Sequence, residues 1–198
     1  MRSGPVHYHH RLDGAVPRDE VVIATDASVG ANLRVVAESF VATTGHYGFV
    51  AHWQHWHGTS NRNMAVLIGE LRAVAIALKR VTATGPIRVQ CDSQTAVQYL
   101  QRWQQGDPTL PKGYLPVRSG KGKTTLKLLA DKLNGNPALA SFEWVRGHSG
   151  HPLNETADQL AKLGLRVHRG ELLLGAARHE ARRYAQAVLV PQSHTRLA

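Results

Sequence analysis

Of the 14 Asp and Glu residues in this chain of 198, four stand where chemistry could gather. Asp26 ends a β-branched run, Glu70 lies inside an amphipathic stretch, Asp92 ends a second β-branched run and Asp158 lies in a later helical segment. In an open sheet the strand ends and neighbouring helix termini crowd one edge, where ligands generally bind. The first three residues sit at such junctions and are expected to converge. Four carboxylates brought within a few Å would repel by ~1 to 4 kcal/mol per pair, so the cluster is tolerable only if cations fill it. Hard divalent cations suit all-oxygen ligands, and Mg²⁺ takes a few carboxylates, water and a substrate phosphate. Zinc would want His or Cys sets that this sequence does not group. Carboxylate-held cations point to phosphodiester hydrolysis, in which two ions ~3.5 to 4 Å apart clamp the attacking water and the leaving oxygen.

The elements that must position these groups follow from periodicity. Val21 to Thr25 reads as a strand ending at Asp26, and β-leaning stretches at 33–44 and 47–58, separated by a turn from Gly45 to Gly48, complete an antiparallel meander. Residues 64–81 carry a helical apolar stripe at 67, 71, 74, 75, 78 and 81, stopped by Gly85 and Pro86. A strand at 87–91 delivers Asp92, and helical spacing resumes from Thr95 to Trp103. Residues 104–123 hold Pro108, Pro111 and Pro116 and form a basic irregular excursion, with seven Lys/Arg against two Asp between 102 and 132. A helix at 125–133, a strand at 141–147 and a helix at 154–165 entered through Pro152 complete the pattern. A meander followed by βαβ alternation describes an α/β fold, a mixed sheet flanked by helices.

Composition narrows the partners. Apolar residues make up 42% and charged residues 19%, which suits a globular chain. The longest apolar runs, Met64 to Gly69 and Ala73 to Leu78, fall far short of the ~20 residues of a membrane span, and the first 14 residues carry no signal-like apolar stretch. A cytoplasmic protein with no membrane partner, monomeric, is expected. Cys91, the single cysteine, cannot form an internal disulfide or a Cys-rich zinc site. Twenty-four Lys/Arg against 14 Asp/Glu give a net charge of +10, which favours a polyanion such as nucleic acid through counterion release. Basicity for solubility alone is the plain alternative.

Four segments carry a resemblance: ATDAS at 24–28, GELRAVAIAL at 69–78, QCDSQTAV at 90–97 and, most specific, VRGHSGHPLNETADQLAKLG at 145–164. Together they resemble type 1 ribonuclease H, of the bacterial ribonuclease HI kind, over about residues 21–167. The resemblance implies a mixed five-stranded sheet, an antiparallel meander plus parallel strands, flanked by helices, in a domain over 21–168. It implies an endoribonuclease that hydrolyses the RNA strand of RNA/DNA hybrids by two-metal-ion catalysis, leaving 5′-phosphate and 3′-hydroxyl ends. Mg²⁺ would be the cofactor, two ions, with Mn²⁺ as substitute. Asp26, Glu70, Asp92 and Asp158 would be catalytic and bind the metal, and His148 would lie on a loop that helps proton transfer or product release. Gln94 would sit near the minor groove and Asn154 among the substrate-binding residues. Lys112, Arg118, Lys121 and Lys123 occupy the place of the family's basic substrate-binding protrusion. The 22 residues from Glu70 to Asp92 suit one helix, one turn and one strand and favour Glu70 over Glu38. The chain departs from the family pattern where Asn61 and Asn63 lie nine and seven residues upstream of Glu70, and in having only Gly30 between 27 and 44. Two other readings stand beside this one. Another nuclease of the same fold is disfavoured by the motif from His148 to Asp158, and a non-catalytic hybrid-binding module by the retained carboxylates.

The remaining features read plainly. Residues 1–20, with Pro5, Gly14 and Pro17, form a loose arm in which His7, His9 and His10 have no fixed place. His55 and His57 share a strand face with Trp53 as a polar sheet surface rather than a metal site. Trp103 either stacks on a sugar or base or packs against the sheet. The basic tail, 169–198, can form an amphipathic helix on which Arg178, Arg182 and Arg183 make a solvated face in preference to a binding arm.

Overall fold

The computed structural model describes residues 4–14, 19–31, 33, 35–53, 61–115, 117–118 and 122–190. In chain order its elements are β1 (Val6–Arg11), β2 (Val21–Val29), β3 (Val35–Ala42), β4 (His46–Trp53), α1 (Arg62–Arg80), β5 (Ile87–Cys91), α2 (Gln94–Gln104), β6 (Val117–Arg118), β7 (Gly122–Lys123), α3 (Thr125–Gly135), β8 (Ser141–Trp144), α4 (Pro152–His168) and α5 (Leu174–Leu189). The main sheet runs β1-β4-β3-β2-β5-β8, antiparallel from β1 to β2 and parallel from β2 to β8. It is the expected mixed sheet with helices on both faces, and among the described residues no helix is long and apolar enough to cross a membrane.

Alternation along β2 and β3 builds two cores. Val21, Ile23 and Phe40 join Leu71, Val74, Leu100, Trp103 and Leu133 on the face covered by α1, α2 and α3. Ala24 and Val41 point the other way and join Tyr47, Phe49, Leu160 and Leu163 under α4 and α5. Each fully buried Leu, Ile or Phe side chain contributes ~1.5 to 3 kcal/mol relative to exposure. Caps fix the helix starts: the Asn61 side chain accepts from the Asn63 amide at 2.9 Å, Ser93 Oγ from the Ala96 amide at 3.3 Å, and Pro152 occupies the first turn of α4.

The structure departs from expectation in the N-terminal arm and the basic excursion, and it decides between the two readings of Trp103. Within the N-terminal arm, Val6–Arg11 is a strand rather than loose chain: β1 adds a sixth strand to the expected five, because Val6 and Tyr8 supply an apolar alternation that the intervening histidines hide. Tyr8 packs on Phe49 with ring centroids 5.5 Å apart, its hydroxyl lies 3.1 Å from that of Tyr47, and His9 stacks on His46. Gly48 is what allows this approach, since a Cβ there would lie 2.3 Å from the Tyr8 carbonyl oxygen. Trp103 is fully buried and donates its indole N–H to the Thr109 carbonyl at 2.9 Å, so packing wins over stacking on a ligand. The basic excursion contains a small antiparallel hairpin, β6 with β7. His55, Trp56 and His57 lie outside the described residues.

Candidate active site

Register brings the first carboxylates together. Parallel pairing aligns Thr25 with Cys91, so Asp26, inside β2 rather than at its end as the sequence suggests, and Asp92, the residue after β5, stand at the same level. Glu70 arrives from α1, as the ninth residue of that helix. The glycine before it permits close packing, because a Cβ on Gly69 would lie 2.8 Å from the Ala27 Cβ and 3.1 Å from a Val36 methyl. In that position Glu70 Oε1 accepts the Ala27 amide at 3.1 Å and Oε2 lies 3.5 Å from the Cys91 thiol, which donates to it. Asp158 comes from α4 on the opposite face of the sheet. That helix is tied down where Ser39 Oγ donates to the Ala157 carbonyl at 2.6 Å, and Asp158 Oδ2 accepts from Lys162 Nζ at 2.6 Å.

These groups share one electrostatic environment. Burial, then the charges of Asp92 and Asp158, push the Asp26 carboxyl up to about 7, with Lys162 opposing. Glu70, 2% exposed, is raised well above the ordinary carboxyl range by burial and then by Asp26 and Asp92. Burial, then the Glu70 carboxylate, also raises the Cys91 thiol. Ligand atoms of Glu70, Cys91 and Asp92 lie within 4.8 Å of one another. Carboxyls raised by one another's charge favour a cation between them, and the mainly carboxylate donor set fits a hard divalent cation.

The other expected residues spread around this cluster. His148 is exposed on the loop between β8 and α4, in the left-handed region with φ 51°, a conformation uncommon outside glycine. That loop is secured where the Gly150 amide donates to Glu155 Oε1 at 2.9 Å. Gln94 is exposed at the start of α2. Asn61 and Asn63, with Met64, Leu67, Ser93 and Thr95, line a cleft of about 410 Å³ between the starts of α1 and α2. Asn154 is 2% exposed in the first turn of α4. Lys112 is exposed, and Lys123 is exposed but ion-paired to Asp131 at 2.7 Å. Lys121 and the Arg118 side chain lie outside the described residues.

Several neighbours escape sequence reading. Trp144, 44% exposed, donates its indole N–H to the Asp92 carbonyl at 2.9 Å. Gly147 faces Asp92 so closely that a Cβ would lie 2.7 Å from its Oδ2. The pairing of Lys162 with Asp158 carries the i, i+4 spacing that could have revealed it. Glu38 stays apart from the cluster, buried with Arg72 at 3.0 Å and His52 at 2.9 Å.

Comparison with known proteins gives a consistent result. The RNase H family model matches residues 18–166. Ribonuclease H of Hahella chejuensis is 34% identical over 113 residues, which cover 57% of this chain and 72% of that protein. Ribonuclease HI of Caulobacter vibrioides is 33% identical over 111 residues, 55% of this chain and 68% of the relative. Ribonuclease H of Anaeromyxobacter sp. (strain K) is 37% identical over 100 residues, and the chain spans about half of its length, 52%. The matched segment contains all four carboxylates and excludes β1 and α5.

Proposed function

The chain is an enzyme of the RNase H family, and we propose that it cleaves the RNA strand of RNA/DNA hybrids by two-metal-ion hydrolysis, leaving 5′-phosphate and 3′-hydroxyl ends. The observation that carries this reading is the meeting of Asp26, Glu70 and Asp92 where β2, α1 and β5 converge, with Asp158 close enough to raise the Asp26 carboxyl.

Asp26, Glu70, Asp92 and Asp158 would hold Mg²⁺, with Mn²⁺ as substitute. When bound, such cations supply Lewis acidity toward the scissile phosphate and the attacking water. The protein's part is preorganisation. The Ala27 amide and Cys91 thiol fix the Glu70 carboxylate, and the Trp144 indole fixes the backbone at Asp92. His148, exposed midway along its loop, takes or returns a proton on the reacting strand. The N-termini of α1 and α2 face the cleft, where unsatisfied amides favour phosphate, and Asn61, Asn63 and Gln94 supply polar contacts to sugar edges. Lys112, Arg118, Lys121 and Lys123 track the backbone away from the cut, adding affinity without choosing the strand.

Incubation of a labelled hybrid, the matching RNA duplex and the matching DNA duplex with Mg²⁺ tests this reading. Only the hybrid should be cut, and only in its RNA strand. Equal cutting of all three would refute it, and tight hybrid binding with no cutting would leave a binding module.

A further inference from the structure

The cations of α5 are segregated from its single acid. Glu180 turns toward α4, where its Oε2 lies 3.5 Å from Arg166 and accepts from the Tyr184 hydroxyl at 3.3 Å. Arg178, His179, Arg182 and Arg183 are exposed on rows next to the buried stripe of Ala177, Ala181 and Ala185. None of the ion pairs among the described residues involves Arg178, Arg182 or Arg183. Like charges at i, i+4 repel, and a merely solvated face usually intersperses both signs. A helix that sends its acid inward and gathers cations outward is built for an anionic partner.

The edge strand completes this face. Arg178 sits over the Tyr8 ring, 5.8 Å from its centroid, and the Tyr8 hydroxyl lies 3.1 Å from that of Tyr47. His10 packs edge-on against Tyr47. Cross-strand pairing places Asp26, Ser39, Phe49 and Tyr8 in one row. Three strand spacings of ~4.8 Å put Tyr8 roughly 14 Å from Asp26, well within one duplex turn of ~34 Å.

We propose that the β1–α5 face binds the sugar-phosphate backbone of nucleic acid outside the cut site, with Arg178, Arg182 and Arg183 as the phosphate ligands. The choice of partner rests on the ribonuclease reading; the recognition rests on guanidinium forks matching phosphate oxygens. Arg178 also packs on Tyr8, so the informative variant is Arg182→Gln/Arg183→Gln, which spares that contact.

Binding of a labelled hybrid of about 30 base pairs, followed by anisotropy without metal from about 50 to 200 mM salt, should show the slope of log K against log salt reduced by up to about 1.8 in the double variant. An unchanged slope overturns the proposal. If the parent cuts hybrid in Mg²⁺ while the slope is unchanged, this surface alone fails. A reduced slope from a chain that cuts nothing leaves the surface standing and removes the ribonuclease reading. Parent binding to phosphatidylserine vesicles that is lost in the double variant, with the hybrid slope intact, assigns the face to lipid and also overturns the proposal.

Discussion

The amide of Ala27 donates to Glu70 Oε1 across 3.1 Å, so the residue after Asp26 holds the carboxylate that α1 delivers beside it. Strand and helix are thereby locked in one relative position, and Gly69 provides the space. The arrangement buries Glu70 beside Asp26 and Asp92, and that burial, then the two neighbouring charges, raises its carboxyl.

Glu70→Gln keeps an acceptor for the Ala27 amide and replaces a buried carboxyl that is costly to ionise. Its melting temperature should match or exceed that of the parent, since a neutral group is less costly to bury, while hybrid cleavage falls by roughly 10²-fold or more through loss of a metal ligand. Calorimetry and single-turnover cleavage check both halves. Asp92→Asn should likewise abolish cleavage, with hybrid binding near normal or tighter because a charge facing phosphate is gone.

Gly147→Ala tests the wall behind Asp92. The backbone of Gly147 lies outside the left-handed region, so alanine meets a steric rather than a conformational obstacle, a Cβ 2.7 Å from Asp92 Oδ2. The carboxylate must move. A displacement of ~1 Å can reduce the rate about 10²-fold, and the melting temperature should change by only a few degrees. Near-parental cleavage would show that Asp92 has room to relocate.

Legibility in the sequence followed the range of the forces involved. β2 and α1 were readable because a β-branched run and a 3.6-residue stripe are local signals, and α4 because Pro152 and its apolar spacing mark it. β1 was not, because its docking depends on Gly48, Tyr47 and Phe49, about 40 residues away. The partnership of Cys91 with Glu70 needs the Thr25–Cys91 register, which no local pattern states. The burial of Asn154 is a further case: its polar type suggests the surface, whereas the packing of α4 buries it.

Metal binding should depend on pH through Asp26. Its folded-state pKa, about 7, exceeds the ~3.9 of an unfolded Asp, so the metal-free fold binds this proton more tightly than the unfolded chain. The resulting stabilisation is complete below pH ~4 and is lost as pH rises through about 7. A divalent cation competes with that proton. The rise in melting temperature on adding Mg²⁺ should therefore be larger at about pH 8 than at about pH 5.5, and chelation should abolish it. Equal rises at both pH values would exclude Asp26 from the metal site.

His148→Ala should be milder than Asp92→Asn, with a loss of ~10² to 10⁴-fold, the usual contribution of general acid-base assistance. Because His148 adopts φ 51°, part of any effect could come from the backbone, and His148→Gly separates the two. Equal losses in both variants assign the effect to the imidazole. Recovery in the glycine variant would assign it to loop geometry.

The β1 edge should loosen in acid. His9 and His46 stack with rings parallel and centroids 5.5 Å apart, and Thr44 Oγ1 lies 2.9 Å from His46 Nδ1. Burial holds both imidazoles below their ordinary pKa, helped at His9 by Arg80 and His10 and at His46 by His9 and Arg11. A depressed folded-state pKa means the unfolded chain takes these protons first, so stability is full above ~6.5 and declines as pH falls below it. Amide protection across Val6–Arg11 should therefore drop between about pH 7.5 and pH 5, beyond the intrinsic change in exchange chemistry. His46→Gln, which keeps a polar group beside Thr44 but cannot titrate, should flatten most of that dependence. Parental protection that stays constant across the range would show that the stack bears no part in holding β1.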